Sequence, residues 1–347
     1  MRRTAEIVPR RPRSVDKRTG LEYIHRVTAT AVEEVQFFSH GTKVAGTLML
    51  PSGGSTPCPA VVQGPGWLGL RDAQLYRPYH EALLEAGIAV LVFDYRGFGD
   101  SDGDATFLDP RDQVEDYRSA ATYLETRFEI DARRIGAFGS GGTGGGNAVM
   151  AAGIDSRFRA MVSQVPIADG RDWLRRMRRE HEWLEFLEAL REDRLARVKS
   201  GAGAMVAPRD GIMVPTPERR TTQVKADVDD RLPSLVALAS AEAIMEYQPI
   251  SVVHRIAPRA SLFICVENDW TTPEDHSHAL FERAGEPKRL VIQTRTTHYG
   301  AYAQYRHLVA PMIAEWFSRY LVAGDLVIRD SENATGGLAD AGTRLDA

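Results

Sequence analysis

Short apolar runs alternate along this chain with stretches whose apolar residues recur every three or four positions. "PAVVQ" (Pro59–Gln63) and "IAVLVFDY" (Ile88–Tyr95) are of the first kind. Unbroken apolarity over so few residues predicts strands covered on both faces. Between them "YRPYHEALLEAG" predicts a helix closed by Gly87, and "DPRDQVEDYRSAATYLETRF" a second helix opening at Asp109-Pro110. "RRIGAFG" and "FRAMVSQVP" predict strands on either side of a short helix over "TGGGNAVMAAG". Upstream, "VEEVQFF" and "VAGTLMLP" flank Ser39-His40-Gly41 and predict an antiparallel hairpin.

Residues 168–250 break this rhythm. "DWLRRMRREHEWLEFLEALREDRL" sets Leu174, Met177, His181, Leu184 and Leu187 at helical spacing. A polar stretch with scattered prolines and a short helix around "SAEAIMEY" follow. The alternation then resumes with strand "ASLFICVEND", helix "EDHSHALFERAG", strand "RLVIQTR" and a last helix, "AYAQYRHLVAPMIAEWFSRYL". His276 and His278 lie two apart on their helix, so they diverge and read as surface residues. Such alternation predicts an α/β fold with a mostly parallel, doubly wound sheet. The insertion follows a strand, where it can cover the sheet's C-terminal edge, the edge at which such sheets bind ligands. The expected organisation is a flexible basic arm (1–30), a core (31–167 and 251–324), a helical cap (168–250) and a disordered tail (325–347).

Composition narrows the function. The net charge is −4, which calls for neither nucleic acid nor an anionic membrane. No stretch approaches the ~18 apolar residues of a membrane span, and the basic N-terminus lacks the apolar segment of a secretory signal. Cys58 and Cys265 are the only cysteines, which fits a reducing cytoplasm. A small molecule is the expected partner, with a homodimer open. No cofactor or metal is expected.

Six of the eight residues from Gly139 to Gly146 are glycine. Gly139-Ser-Gly141-Gly-Thr-Gly144 fits the dinucleotide fingerprint, but that motif wants an acid at the end of the next strand, where Gln164 stands. A phosphate-binding loop needs Gly-Lys-Ser/Thr, and no lysine is present. A third reading is the strand–turn–helix elbow that thrusts a nucleophile upward between small residues. Its partners follow in the order acid, histidine. Asp269 and His298 each lie just past an apolar strand, in that order.

With these residues the chain resembles the α/β-hydrolase superfamily, and within it the cap-bearing bacterial esterases and acyl-peptidases. "VFDYRGFGDSDG", the elbow after "RIGAFG", "ENDW" and "THYG" carry the resemblance over about residues 32–322. It implies that Asp269 orients His298, and that the backbone N–H groups of Trp67 and Gly142 form an oxyanion hole. Laid on the family pattern, the nucleophile position is Gly141, which has no side chain. Ser140, displaced by one residue, or a water would then attack. Trp173, His181 and Trp183 of the cap are the expected pocket residues. Three functions stay open: hydrolysis of an ester, amide or activated C–C bond; non-hydrolytic lyase, isomerase or cyclase chemistry; and ligand binding without catalysis.

Overall fold

The computed structural model describes residues 29–52, 56–322 and 342–345, so most of the expected basic arm lies outside it. Nine strands form one sheet: β1 (Ala29–Ser39), β2 (Thr42–Pro51), β3 (Cys58–Gly64), β4 (Ala89–Phe93), β5 (Ile130–Gly142), β6 (Phe158–Pro166), β9 (Ala260–Val266), β10 (Lys288–Gln293) and β11 (Thr343–Leu345). A separate antiparallel pair, β7 (Met205–Val206) and β8 (Val236–Ala237), lies in the insertion. The sheet order is β1-β2-β4-β3-β5-β6-β9-β10-β11. β2 runs antiparallel to both β1 and β4, and every other neighbouring pair is parallel. At the β1–β2 turn His40 and Gly41 both take positive φ, 46° and 83°, the geometry of a tight hairpin that follows the strand twist.

Neighbouring residues on one strand serve opposite layers, because side chains alternate across a sheet. Val61 and Val90 join the core formed with α1 (Arg77–Glu85) and α10 (Arg306–Phe317). Val62 and Leu91 join the core formed with α2 (Pro110–Glu125), α3 (Thr143–Ile154) and α8 (Glu274–Arg283). Burial on both faces explains why these strands read as unbroken apolar runs.

The insertion carries α4 (Gly170–Arg176), α5 (Glu180–Ser200), α6 (Pro217–Thr221) and α7 (Ser240–Met245); α9 (Gly300–Gln304) precedes α10. The sequence suggested one continuous helix through Leu174 and Leu187. The structure breaks it at 177–179, where extended Arg179 caps α5 and its N–H donates to Glu182 (2.6 Å). The break resets the helical register. Trp183, Phe186, Leu190 and Asp193 face inward, and His181 and Leu184 are exposed. His276, expected at the surface, is buried: its Nδ1 accepts from Ala168 N–H (3.0 Å) and its Nε2 meets Asp172 (2.8 Å). It ties α8 to the start of the insertion. Of the expected disordered tail, 325–341 and 346–347 lie outside the described residues, and Thr343–Leu345, contrary to expectation, pairs in parallel with β10.

The glycine turn is a packing solution. A Cβ on Gly144 would stand 2.7 Å from Gly66 Cα, and one on Gly145 2.8 Å from the Gln164 carbonyl oxygen. α3 leaves the sheet so close to both neighbouring strand ends that only glycine fits. Gly144→Ala is therefore expected to destabilise the protein by about 1–3 kcal/mol through overpacking. Its urea midpoint should fall with unchanged m-value; an unshifted midpoint would mean that the Pro65–Gly66 loop yields freely.

Candidate active site

The elbow closes β5 and opens α3. Gly141 has φ 82°; Gly142, at the N-cap of α3, has φ 54° and ψ −109°. Both are backbone states that side chains rarely adopt. The sequence spacing set the tip at Gly141, but a Cβ there would face Gly66 Cα (3.4 Å) and Tyr302 Oη (3.5 Å). A Cβ on Gly142 would face Thr272 (3.7 Å), Trp173 and Trp67 (both 3.9 Å), which line the pocket above the elbow. The residue projecting there is Gly142, with Ser140 and Gly144 as the small residues two before and two after; Gly142 is thus the tip itself and not the residue after it, the place of the expected oxyanion donor, which falls to Thr143.

Ser140 is fully buried beneath this tip, outside the pocket lining. Its hydroxyl donates to Gln164 Oε1 (3.2 Å) and meets Tyr302 Oη at 2.7 Å. The structure thus engages Ser140 in the strand layer rather than bringing it to His298. Trp67 lines the pocket, but its backbone N–H donates to the Gly141 carbonyl (3.2 Å) and so is already committed.

Asp269 and His298 come together at the ends of β9 and β10. Asp269 Oδ1 accepts from the backbone N–H of Thr271 (2.7 Å) and Thr272 (3.1 Å). Its Oδ2 accepts from Thr272 Oγ1 (2.9 Å) and from His298 Nδ1 (2.7 Å). Because a carboxylate only accepts, Nδ1 carries the proton and Nε2 is left as a lone-pair base. The His298 loop is held in turn by Glu218 of α6, whose Oε1 accepts from Tyr299 N–H (3.1 Å), Gly300 N–H (3.2 Å) and the Thr297 hydroxyl.

The pocket above the elbow is narrow, a cavity of about 20 Å³. Its apolar and aromatic wall includes Leu75, Tyr76, Trp173, Met213 and Val224. Of the expected cap residues, Trp173 lines it, Trp183 is buried elsewhere, and His181 is exposed. Two cations also reach the wall, Arg209 and Lys225. Burial and the nearby Arg209 and Arg219 push the Lys225 ammonium down to about 7. Sequence reasoning missed Lys225, Arg209, Thr272 and Glu218. Lys225 and Arg209 stand in polar stretches with no periodicity, so no pattern marked them.

The residue pattern of the X-Pro dipeptidyl-peptidase (S15 family) matches residues 40–300. The chain belongs to this family. An uncharacterized 31.7 kDa protein from the traX-finO intergenic region of Escherichia coli is 29% identical over 285 residues, spanning 80% of this chain and 96% of that protein. The thiohydrolase aneE of Aspergillus aculeatus is 32% identical over 179 residues, 51% of this chain and 50% of that one. Among solved structures, the α/β-hydrolase GrgF from Penicillium sp. sh18 superposes with a TM-score of 0.71 at 22% identity, covering 84% of this chain and 99% of that one. The family's fold is therefore the α/β-hydrolase fold that the sequence motifs implied, and the chain is an enzyme of the hydrolase class. No helix among the described residues is long and apolar enough to cross a membrane.

Proposed function

We propose that the protein hydrolyses a small carboxylic ester, thioester or amide by direct attack of water, without an acyl-enzyme. One arrangement carries this reading: the intact Asp269–His298 pair serves a pocket whose elbow tip is glycine, while the hydroxyl of Ser140, two residues before the tip, is bound to Gln164 and Tyr302. The space above Gly142 suits a water whose proton His298 Nε2 removes. Such general-base help is worth roughly 10²–10⁴-fold, enough for a reactive acyl group. The thioester enters this class through the thiohydrolase relative. The insertion at 168–250, which supplies Trp173, Arg209, Met213, Val224 and Lys225 to the pocket wall, acts as a cap over the site. Two free, buried thiols, Cys58 and Cys265, favour the cytoplasm as its location.

The test uses p-nitrophenyl acetate. Ser140→Ala is expected to keep the wild-type kcat, and quenched mass spectra of the wild type should show no acetylated protein. A stoichiometric acetyl adduct on Ser140 would overturn the water route. Exchange of the probe's α-hydrogens with solvent deuterium, without hydrolysis, would assign the His298 base to isomerase or lyase chemistry instead.

A further inference from the structure

Three residues of the pocket wall carry N–H groups that are not fully paired. Lys225 gives one N–H to the Trp67 carbonyl (3.0 Å) and, among the described residues, has no ion-pair partner. Among the described residues Trp67 Nε1 and Arg209 Nε are buried without a hydrogen-bond partner, while Arg209 Nη2 pairs with Asp229 (3.2 Å). All three residues line the cavity that holds His298 and Gly142. Buried donors left unpaired are costly, so this wall is built around an oxygen that arrives with the substrate. At the same place the Trp67 backbone N–H, one of the two expected oxyanion donors, is spent on Gly141.

We infer that Lys225 is a catalytic residue, its ammonium holding the carbonyl oxygen of the substrate as that oxygen becomes anionic. In the step, a water proton passes to His298 Nε2 and the water oxygen bonds to the carbonyl carbon. The carbonyl π pair moves onto the carbonyl oxygen, facing Lys225. Collapse returns that pair, breaks the bond to the leaving group, and gives the leaving group the proton from His298. Lys225 is anchored on the carbonyl of the very loop whose N–H is committed elsewhere, so it restores the charge stabilisation that the loop does not supply.

The groups around the ammonium are Arg209 and Arg219, which disfavour its charge, Asp227 and Asp229, which favour it, and the Tyr76, Tyr299 and Tyr302 phenols and His298 of the same wall. The three phenols are pushed up by burial, Tyr299 to about 12, so they stay neutral near pH 7. The Lys225 charge is present below pH about 7 and lost above it.

This role rests on the hydrolytic reading, so the test has one arm that needs no turnover. Methanesulfonate, a permanent tetrahedral anion, is titrated calorimetrically into wild type and the variants Lys225→Met, Lys225→Arg and His298→Ala. Wild type and His298→Ala should bind it, Lys225→Met ~10-fold or more weakly, and Lys225→Arg with near wild-type affinity. Wild-type binding should weaken above pH about 7, while that of Lys225→Arg should not. Equal binding by Lys225→Met overturns the anion site, whatever the enzyme hydrolyses. With p-nitrophenyl acetate, Lys225→Met should lower kcat ~10²-fold, and Lys225→Arg should restore much of it. A change in KM alone would make Lys225 a substrate-binding residue and overturn its role at the oxyanion.

Discussion

His298→Ala is expected to lower kcat/KM at least ~10²-fold, because it removes the Asp269-oriented base that faces the pocket beside the elbow. The loss should be chemical rather than structural. Asp269 keeps three other donors, the Thr271 and Thr272 backbone N–H groups and the Thr272 hydroxyl, so the carboxylate is not left orphaned. The melting temperature of the variant should therefore stay near that of the wild type. Asp269→Asn should cost somewhat less than His298→Ala. It leaves the ring in place but loses the group that fixes the proton on Nδ1 and supports the imidazolium. Full activity in a folded His298→Ala protein would remove the whole catalytic reading, including the part assigned to Lys225.

How much of this was legible in the sequence follows from what each part of the chain packs against. The sheet was legible because residues such as Val61, Val62, Val90 and Leu91 bury on opposite faces of one layer, which leaves no polar interruption. Asp269 and His298 were legible because chain order and strand ends fix them together. The insertion was not. Its helix α5 buries only four residues, and the break at 177–179 depends on a capping interaction of Arg179 that apolar spacing does not encode. The cations of the pocket were hidden for a related reason. Lys225 and Arg209 are half-buried through contacts far away in sequence, such as that of Lys225 with the Trp67 carbonyl, and locally they look like any solvated charge. The strand at 343–345 is short and polar, and it forms by pairing with the exposed edge of β10. The elbow was legible as a turn but not to the residue. Within six glycines no side chain marks the tip, and only the direction of each missing Cβ separates Gly141 from Gly142.

That separation makes the last prediction sharp. Gly142→Ser should create a reactive serine, and Gly141→Ser should not. At 142 the new Cβ would have ordinary contacts with Thr272, Trp173 and Trp67, beside the Asp269–His298 pair that Thr272 already touches. Its hydroxyl should fall within roughly 2.6–3.2 Å of His298 Nε2, the reach a nucleophile needs from its base. At 141 the Cβ would lie toward Gly66 and Tyr302, on the side where Ser140 is already bound. Both positions carry a positive φ, so each substitution should cost ~1–3 kcal/mol of strain. Melting temperatures come first, to confirm that both variants fold. Treated with a fluorophosphonate, Gly142→Ser should then be labelled stoichiometrically at the new residue, and the label should disappear in the double variant with His298→Ala. With p-nitrophenyl acetate it should show a burst of one acetyl group per protein, which the wild type lacks, because a covalent route has opened beside the water route. If Gly141→Ser is labelled instead, the tip lies where the sequence spacing placed it, and Ser140 returns as the neighbour of the reacting atom. If neither folded variant reacts, the His298 base is not aligned with the elbow, and water attack at Gly142 fails with it.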